Sequence, residues 1–174
     1  MSTVLESKAQ PGQNIAEISR KLDFQRKLQA VTNKIHATAN VDEIMLEVSQ
    51  EICDLFDADR LIVSKVKTGL SSFKDLKLPI NEQSIAGFVG AHKRLVNIRD
   101  VYDEEELRTL SPQLKFLKEV DRRTGYRTKQ MLVVPILEAG TSELVGVVQI
   151  INSRTADSFG PPAEEGAVNL CETL

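Results

Sequence analysis

At 174 residues with 41% hydrophobic content, the chain has enough apolar material for one well-packed domain with appended helices and little room for two. Its net charge of −3, with Lys and Arg scattered among acids, argues against a nucleic-acid surface, which needs a clustered basic face. No apolar run approaches the ~18 to 20 residues of a membrane span, no signal-peptide pattern opens the chain, and Cys53 and Cys171 have no metal-ligand spacing, so a reduced, cytoplasmic protein is expected.

Residues 1–13 are polar, with Pro11 and Gly12, and read as a disordered N-terminal segment. Ile15, Ile18 and Leu22, then Phe24, Leu28, Val31 and Ile35, recur at three- and four-residue spacing, which predicts a helix over 14–38 for linking or dimerisation. The stripe changes register between Leu22 and Phe24, as it would where the helix exchanges one neighbour for another. Asn40-x-x-Glu43 has capping-box form and opens a second helix whose inward face is Ile44, Val48, Ile52, Leu55 and Phe56. Cys53 adjoins that face with no base beside it, so an inert buried thiol is expected.

Arg60 to Lys67 and Phe73 to Leu78 read as strands, the second at an edge because it ends at Pro79. A short helix capped by Asn81 or Ser84 carries the small residues Ala86, Gly87 and Gly90, and Leu95 to Ile98 is a short strand. Pro112 fits the first turn of a helix bearing Leu114, Phe116, Leu117 and Val120. Next, Asp121, Thr124 and Thr128 place a carboxylate and two hydroxyls within eight residues that lead into an apolar strand. Polar groups at the mouth of a core can read a ligand.

The apolar runs Met131 to Leu137 and Leu144 to Ile151, joined by the polar link Glu138 to Glu143, form a hairpin signature. Consecutive apolar positions need cover on both faces, so this hairpin belongs in the middle of a sheet. Pro161 or Pro162 starts a last helix that is still apolar at Leu174, which reads as a module of a longer chain.

The runs V-D-x-x-T-G-Y-R-T, M-L-V-V-P-I and G-V-V-Q-I-I-N, together with Asn97-Ile-Arg-Asp-Val-Tyr, resemble the GAF domain, and within it the cyclic-nucleotide-binding GAF domains of phosphodiesterases and adenylate cyclases. The resemblance implies an α+β sandwich: a central antiparallel sheet of five to six strands, N- and C-terminal helices on one face, and short lid helices over a ligand pocket on the other. It makes 39–174 a single domain. The pocket it implies lies between the sheet and helices at Ser84 to Lys93 and Pro112 to Arg122. There the first-turn amides of Ile85 and Ala86 would receive an anion such as a cyclic phosphate. Asp121 and Thr124 match purine-binding positions, Thr128 a further contacting hydroxyl, and Gln149 a position on the last strand where relatives often carry an acid. Alternatively, Asp121 and Thr124 only cap and close the lid helix and Thr128 is an ordinary strand residue.

Two residues depart from the pattern. Where cyclic-nucleotide-binding relatives pair a Lys and an Asp beneath the lid, this chain has Ser153 and Ala163, beside the retained Asn152, Phe159 and Glu164. Losing both partners orphans no buried charge. No nucleophile stands beside a base and no metal cluster is spelled out, so an enzyme is not expected. The expected function is a regulatory sensor that binds a small molecule, such as a cyclic nucleotide, and signals through terminal helices that join it in a homodimer. The alternative is a ligand-free dimerisation scaffold of a signalling protein or of a secretion or pilus motor ATPase.

Overall fold

The structure, a computed structural model, describes residues 11–37, 41–65 and 83–174. Its elements in order are α1 (Pro11–Ala37), α2 (Val41–Phe56), β1 (Ala58–Lys65), α3 (Ile85–His92), β2 (Val96–Ile98), α4 (Glu104–Leu110), α5 (Lys118–Thr124), β3 (Met131–Leu137), β4 (Leu144–Ser153) and α6 (Pro161–Thr173). The Asn40 cap, the edge strand at Phe73 to Leu78, the end of the first strand and the disorder assigned to the first ten residues fall outside the described residues. Helix α1 begins at Pro11, three residues before the periodic pattern.

The described strands form one antiparallel sheet in the order β1-β4-β3-β2, so the β3–β4 hairpin is central, as its unbroken apolar runs require. The expectation of five to six strands compares with four among the described residues. Ser142 and Gly140 turn the hairpin at positive φ, and Glu138 N–H closes it on Glu143 O at 2.8 Å. Pairing of β2 with β3 ends at Val133. Two residues on stands Pro135, which has no N–H to offer a ladder.

Side chains of β3 and β4 alternate between two cores. Leu132, Val134, Ile136, Val148 and Ile150 face α1, α2 and α6, where they meet Leu28, Val31, Ile52, Phe56 and Leu170. Phe24 lies edge-on to Phe56 with ring centroids 5.8 Å apart. Gly166 makes room for it, because a Cβ there would stand 2.6 Å from the Phe24 ring. On the other face Met131, Val133, Val147 and Ile151 pack against Ile85, Phe88, Val89, Ile98, Val101, Leu107 and Leu114. A Cβ on Gly90 would stand 3.0 Å from Leu144 Cδ2, so this glycine serves the close seating of α3 on β4.

One helix is displaced from its predicted place. Pro112 and Gln113 form a turn, with Leu114 N–H donating to Ser111 O at 3.2 Å, and the helix begins six residues later at Lys118. Two interactions hold the segment after the turn: buried Leu114 anchors it in the lid-side core, and Lys115 pairs in parallel with Ser84, its N–H reaching Gln83 O at 2.8 Å. A further short helix, α4, stands where the sequence showed only an acid run. Asp103 caps it by accepting from the amides of Glu105 and Glu106, and the acids of its first turn suit the positive end of the helix dipole.

Candidate functional site

The lid face is organised by Asp121, the buried residue of α5. Its Oδ2 accepts from the Tyr102 hydroxyl and from the Thr128 N–H, each at 2.8 Å, and its Oδ1 accepts from the Thr128 hydroxyl at 2.8 Å. One carboxylate therefore ties three segments together: α5, the loop after β2 and the lead into β3. Burial works to raise its pKa. The bonds from the Thr128 amide, the Tyr102 hydroxyl and the Thr128 hydroxyl, with the Arg127 charge, outweigh burial and hold the carboxyl below its usual range. Its bond to Asp121 raises the Tyr102 pKa, keeping that hydroxyl a donor. The Arg127 guanidinium lies 3.5 Å over the Tyr102 ring, whose other contacts include Phe116 at 5.4 Å between centroids.

An ionised carboxylate offers about four acceptor directions, and three of these are filled within the chain. One direction is left over. Thr124 is placed differently. It is exposed at the end of α5, where its hydroxyl donates to Val120 O at 2.8 Å and accepts from Tyr126 N–H at 3.4 Å, and Gly125 follows with φ 68°. Those are the bonds of a helix terminus.

Ile85 and Ala86 are buried in the first turn of α3, with Ser84 as its cap accepting from Gly87 N–H at 3.0 Å. Gln149 lies half-buried on the lid face of β4, between Ile62 of β1 and Val133 of β3. So Asp121 and Thr128 are in contact, Ile85, Ala86 and Gln149 line the same side of the sheet, and Thr124 is spent on the end of its own helix.

A second polar cluster lies at the end of the sheet. Asn152, at φ 54°, accepts from the amides of Lys129 and Gln130 and donates to Tyr126 Oη and Arg127 O. Tyr126 is clasped by the Arg60 guanidinium, 3.6 Å over its ring. Gln130 is buried, accepts from Ser153 N–H and donates to Ala156 O at 2.7 Å each, and so holds the loop after β4. Beside these residues an open polar cleft of about 600 Å³ is lined by Arg127, Lys129, Asn152, Arg154 and Asp157 among others. Neither Tyr102 nor Gln130 stood out as a site residue in the sequence. The only signal for Tyr102 was its place in Asn97-Ile-Arg-Asp-Val-Tyr.

On the helix face Asn97 donates to Phe159 O and to Glu164 Oε1, both at 2.7 Å, joining β2 to α6. Burial raises the pKa of both thiols, Cys171 to about 12, which leaves neither as a thiolate.

The chain is 27% identical over 172 residues to the probable 3',5'-cyclic phosphodiesterase pde-5 of Caenorhabditis elegans, an alignment covering 83% of this chain and 22% of that protein. It is 29% identical over 167 residues to the dual 3',5'-cyclic-AMP and -GMP phosphodiesterase 11A of Takifugu rubripes, covering 84% of this chain and 17% of the relative. The chain thus spans about a fifth of each. Among solved structures, the GAF domain from a phosphoenolpyruvate-protein phosphotransferase of Coxiella burnetii superposes with a TM-score of 0.64 at 22% identity, over 87% of this chain and 90% of that one. The A. aeolicus nlh2 GAF domain in an inactive state gives 0.64 at 13% identity, over 88% and 94%. Both share the fold. The GAF domain profile matches residues 23–174, all of the described sheet and its flanking helices except the first part of α1, and the chain belongs to the GAF domain family.

Proposed function

We propose that this chain is a regulatory sensory module, without catalysis of its own, in which a small molecule binds between the sheet and the lid elements α3 and α5. A cyclic nucleotide is the first class to test, because the full-length relatives act on cyclic nucleotides by name. The observation that carries the reading is the Asp121 lock. A single buried carboxylate holds the lid by hydrogen bonds to Tyr102 and Thr128, and a ligand competing for those donors and acceptors has a direct means of shifting the lid. Ile85, Ala86 and Gln149 would border the bound molecule, with Thr124 at the rim.

Transmission would run toward α1 and α6, which join this domain to a partner copy and to an effector. Asn97 supports this route: five residues before Tyr102 on the same stretch of chain, it is bonded to α6 through Glu164 and Phe159. A ligand changes the output only by its differential affinity for the two lid arrangements. Titration of cAMP, cGMP and cyclic dinucleotides against the thermal midpoint is the test. A ligand at 100 times its dissociation constant adds about 2.7 kcal/mol of stability. No shift with any of them, alongside a stable dimer in light scattering, would leave a ligand-free dimerisation scaffold. That second reading has its own support in Ser153 and Ala163, which replace the charged pair of nucleotide-binding relatives, and in the exposed apolar start of α1.

A further inference from the structure

The whole-chain charge conceals one segment of opposite sign. Residues 115–129 carry six Lys and Arg against Glu119 and Asp121, in a chain of net charge −3, and Asp121 is buried and engaged. Lys115, Arg122, Arg123 and Arg127 are exposed, and no ion pair among the described residues includes any of the four. An ordinary solvated face intersperses both signs.

Two aliphatic side chains stand in the same place. Among the described residues Leu117 is 66% exposed and Val120 58%, more than any other large apolar residue outside α1, and they stand at the N-cap and in the first turn of α5. The Asp121 lock ties α5 to the loop after β2 and to the lead into β3, so this face is presented already ordered.

We propose that the outer face of α5, with Leu117 and Val120 as anchor and Arg122, Arg123 and Lys115 around it, is a docking surface for an acidic polypeptide segment that carries aliphatic side chains. Charge complementarity selects the sign of the partner. Chemistry favours carboxylates: guanidinium groups match them bidentately, and three of the exposed cations near the anchor are arginines. A lipid surface fits less well, since it is usually entered by broader amphipathic faces bearing aromatic residues, and the anchor here is two aliphatic groups at the start of a helix of seven residues. The surface lies outside the ligand-facing side of the lid, so it holds whether or not a small molecule binds beneath.

The probe is a fluorescein-labelled Glu-rich helical peptide with Leu at three- and four-residue spacing, followed by anisotropy against the whole chain. The expected result is binding that weakens as salt rises from about 0.01 to 0.15 M, where the screening length falls from roughly 30 to roughly 8 Å. Arg122→Glu with Arg123→Glu should weaken it at least about tenfold, the scale of a lost charge complementarity, with the thermal midpoint unchanged, and a Lys-for-Glu version of the peptide should bind that variant better than it binds the parent chain. Leu117→Ser with Val120→Ser should weaken the Leu-bearing peptide and leave polyglutamate unaffected. Absence of binding to the parent chain, or binding indifferent to the double charge reversal, overturns the proposal. So does retention on phosphatidylserine vesicles or on single-stranded RNA in place of the peptide.

Discussion

The two faces of the sheet are built from the same two strands and held by different physics. On the face toward α1, α2 and α6, β3 and β4 present Leu132, Val134, Ile136, Val148 and Ile150 to a continuous aliphatic and aromatic layer. On the lid face the helices are seven or eight residues long, too short to be stable by themselves, and a buried carboxylate with three hydrogen bonds supplements the apolar contacts. The difference separates a face that packs from a face that can be unlatched. Apolar burial is graded and has no single release point, whereas a polar latch is opened by one proton or one competing donor.

The largest expected effect falls on the packing face. Leu170→Ala, or Leu132→Ala, removes a side chain with no exposed area and leaves a cavity, at a cost of about 2 to 5 kcal/mol measured by urea unfolding. Asp121→Ala comes next. It leaves the Thr128 amide and hydroxyl and the Tyr102 hydroxyl without their acceptor, for about 1.5 to 3 kcal/mol. In a chain of this size that lowers the thermal midpoint by roughly 3 to 12 °C. A loss within 0.5 kcal/mol, roughly the scale of a surface substitution, would mean that apolar contacts alone hold the lid and would dissolve the contrast.

Acid sharpens the same contrast. The folded pKa of Asp121 lies below its ordinary value, so its contribution is fully present above the unfolded value of about 3.9 and is lost as pH falls through the folded value. The parent chain should therefore lose stability below about pH 4 more steeply than Asp121→Ala does. Equal acid slopes in chemical unfolding would show that the carboxylate gains nothing from its three donors.

The packing face was legible in the sequence because its signals are periodic and local. Consecutive apolar residues in Met131–Leu137 and Leu144–Ile151 announced a central hairpin, and the structure ends β3 at Leu137. Lid elements were legible only where a cap spelled them out, as Ser84 does for α3. Pro112 misplaced α5 because a proline suits a turn and a first helical turn alike, and what decides between them is distant in sequence: Lys115 pairs with Ser84, 31 positions away. The carboxylate and hydroxyls were visible as Asp121, Thr124 and Thr128. Their partners were not, since Tyr102 is 19 residues before Asp121 and Thr124 spends its hydroxyl on its own helix.

Helix α1 carries the contrast to its smallest effect. Its second half enters the packed layer through Leu28, Val31 and Ile35, while Ile15, Ile18 and Leu22 are 70%, 55% and 56% exposed. The register change between Leu22 and Phe24 marks that boundary, because Phe24 is where the helix meets Phe56 and Gly166. Ile18→Ser with Leu22→Ser should therefore leave the unfolding free energy of the isolated chain within about 0.5 kcal/mol of the parent, the usual range for surface positions. If the stripe seats a second copy, the same double variant removes the concentration dependence of the thermal midpoint and halves the mass seen by light scattering. A stability loss of several kcal/mol at low concentration would place these residues in the domain's own core, and the boundary at Phe24 would vanish with it.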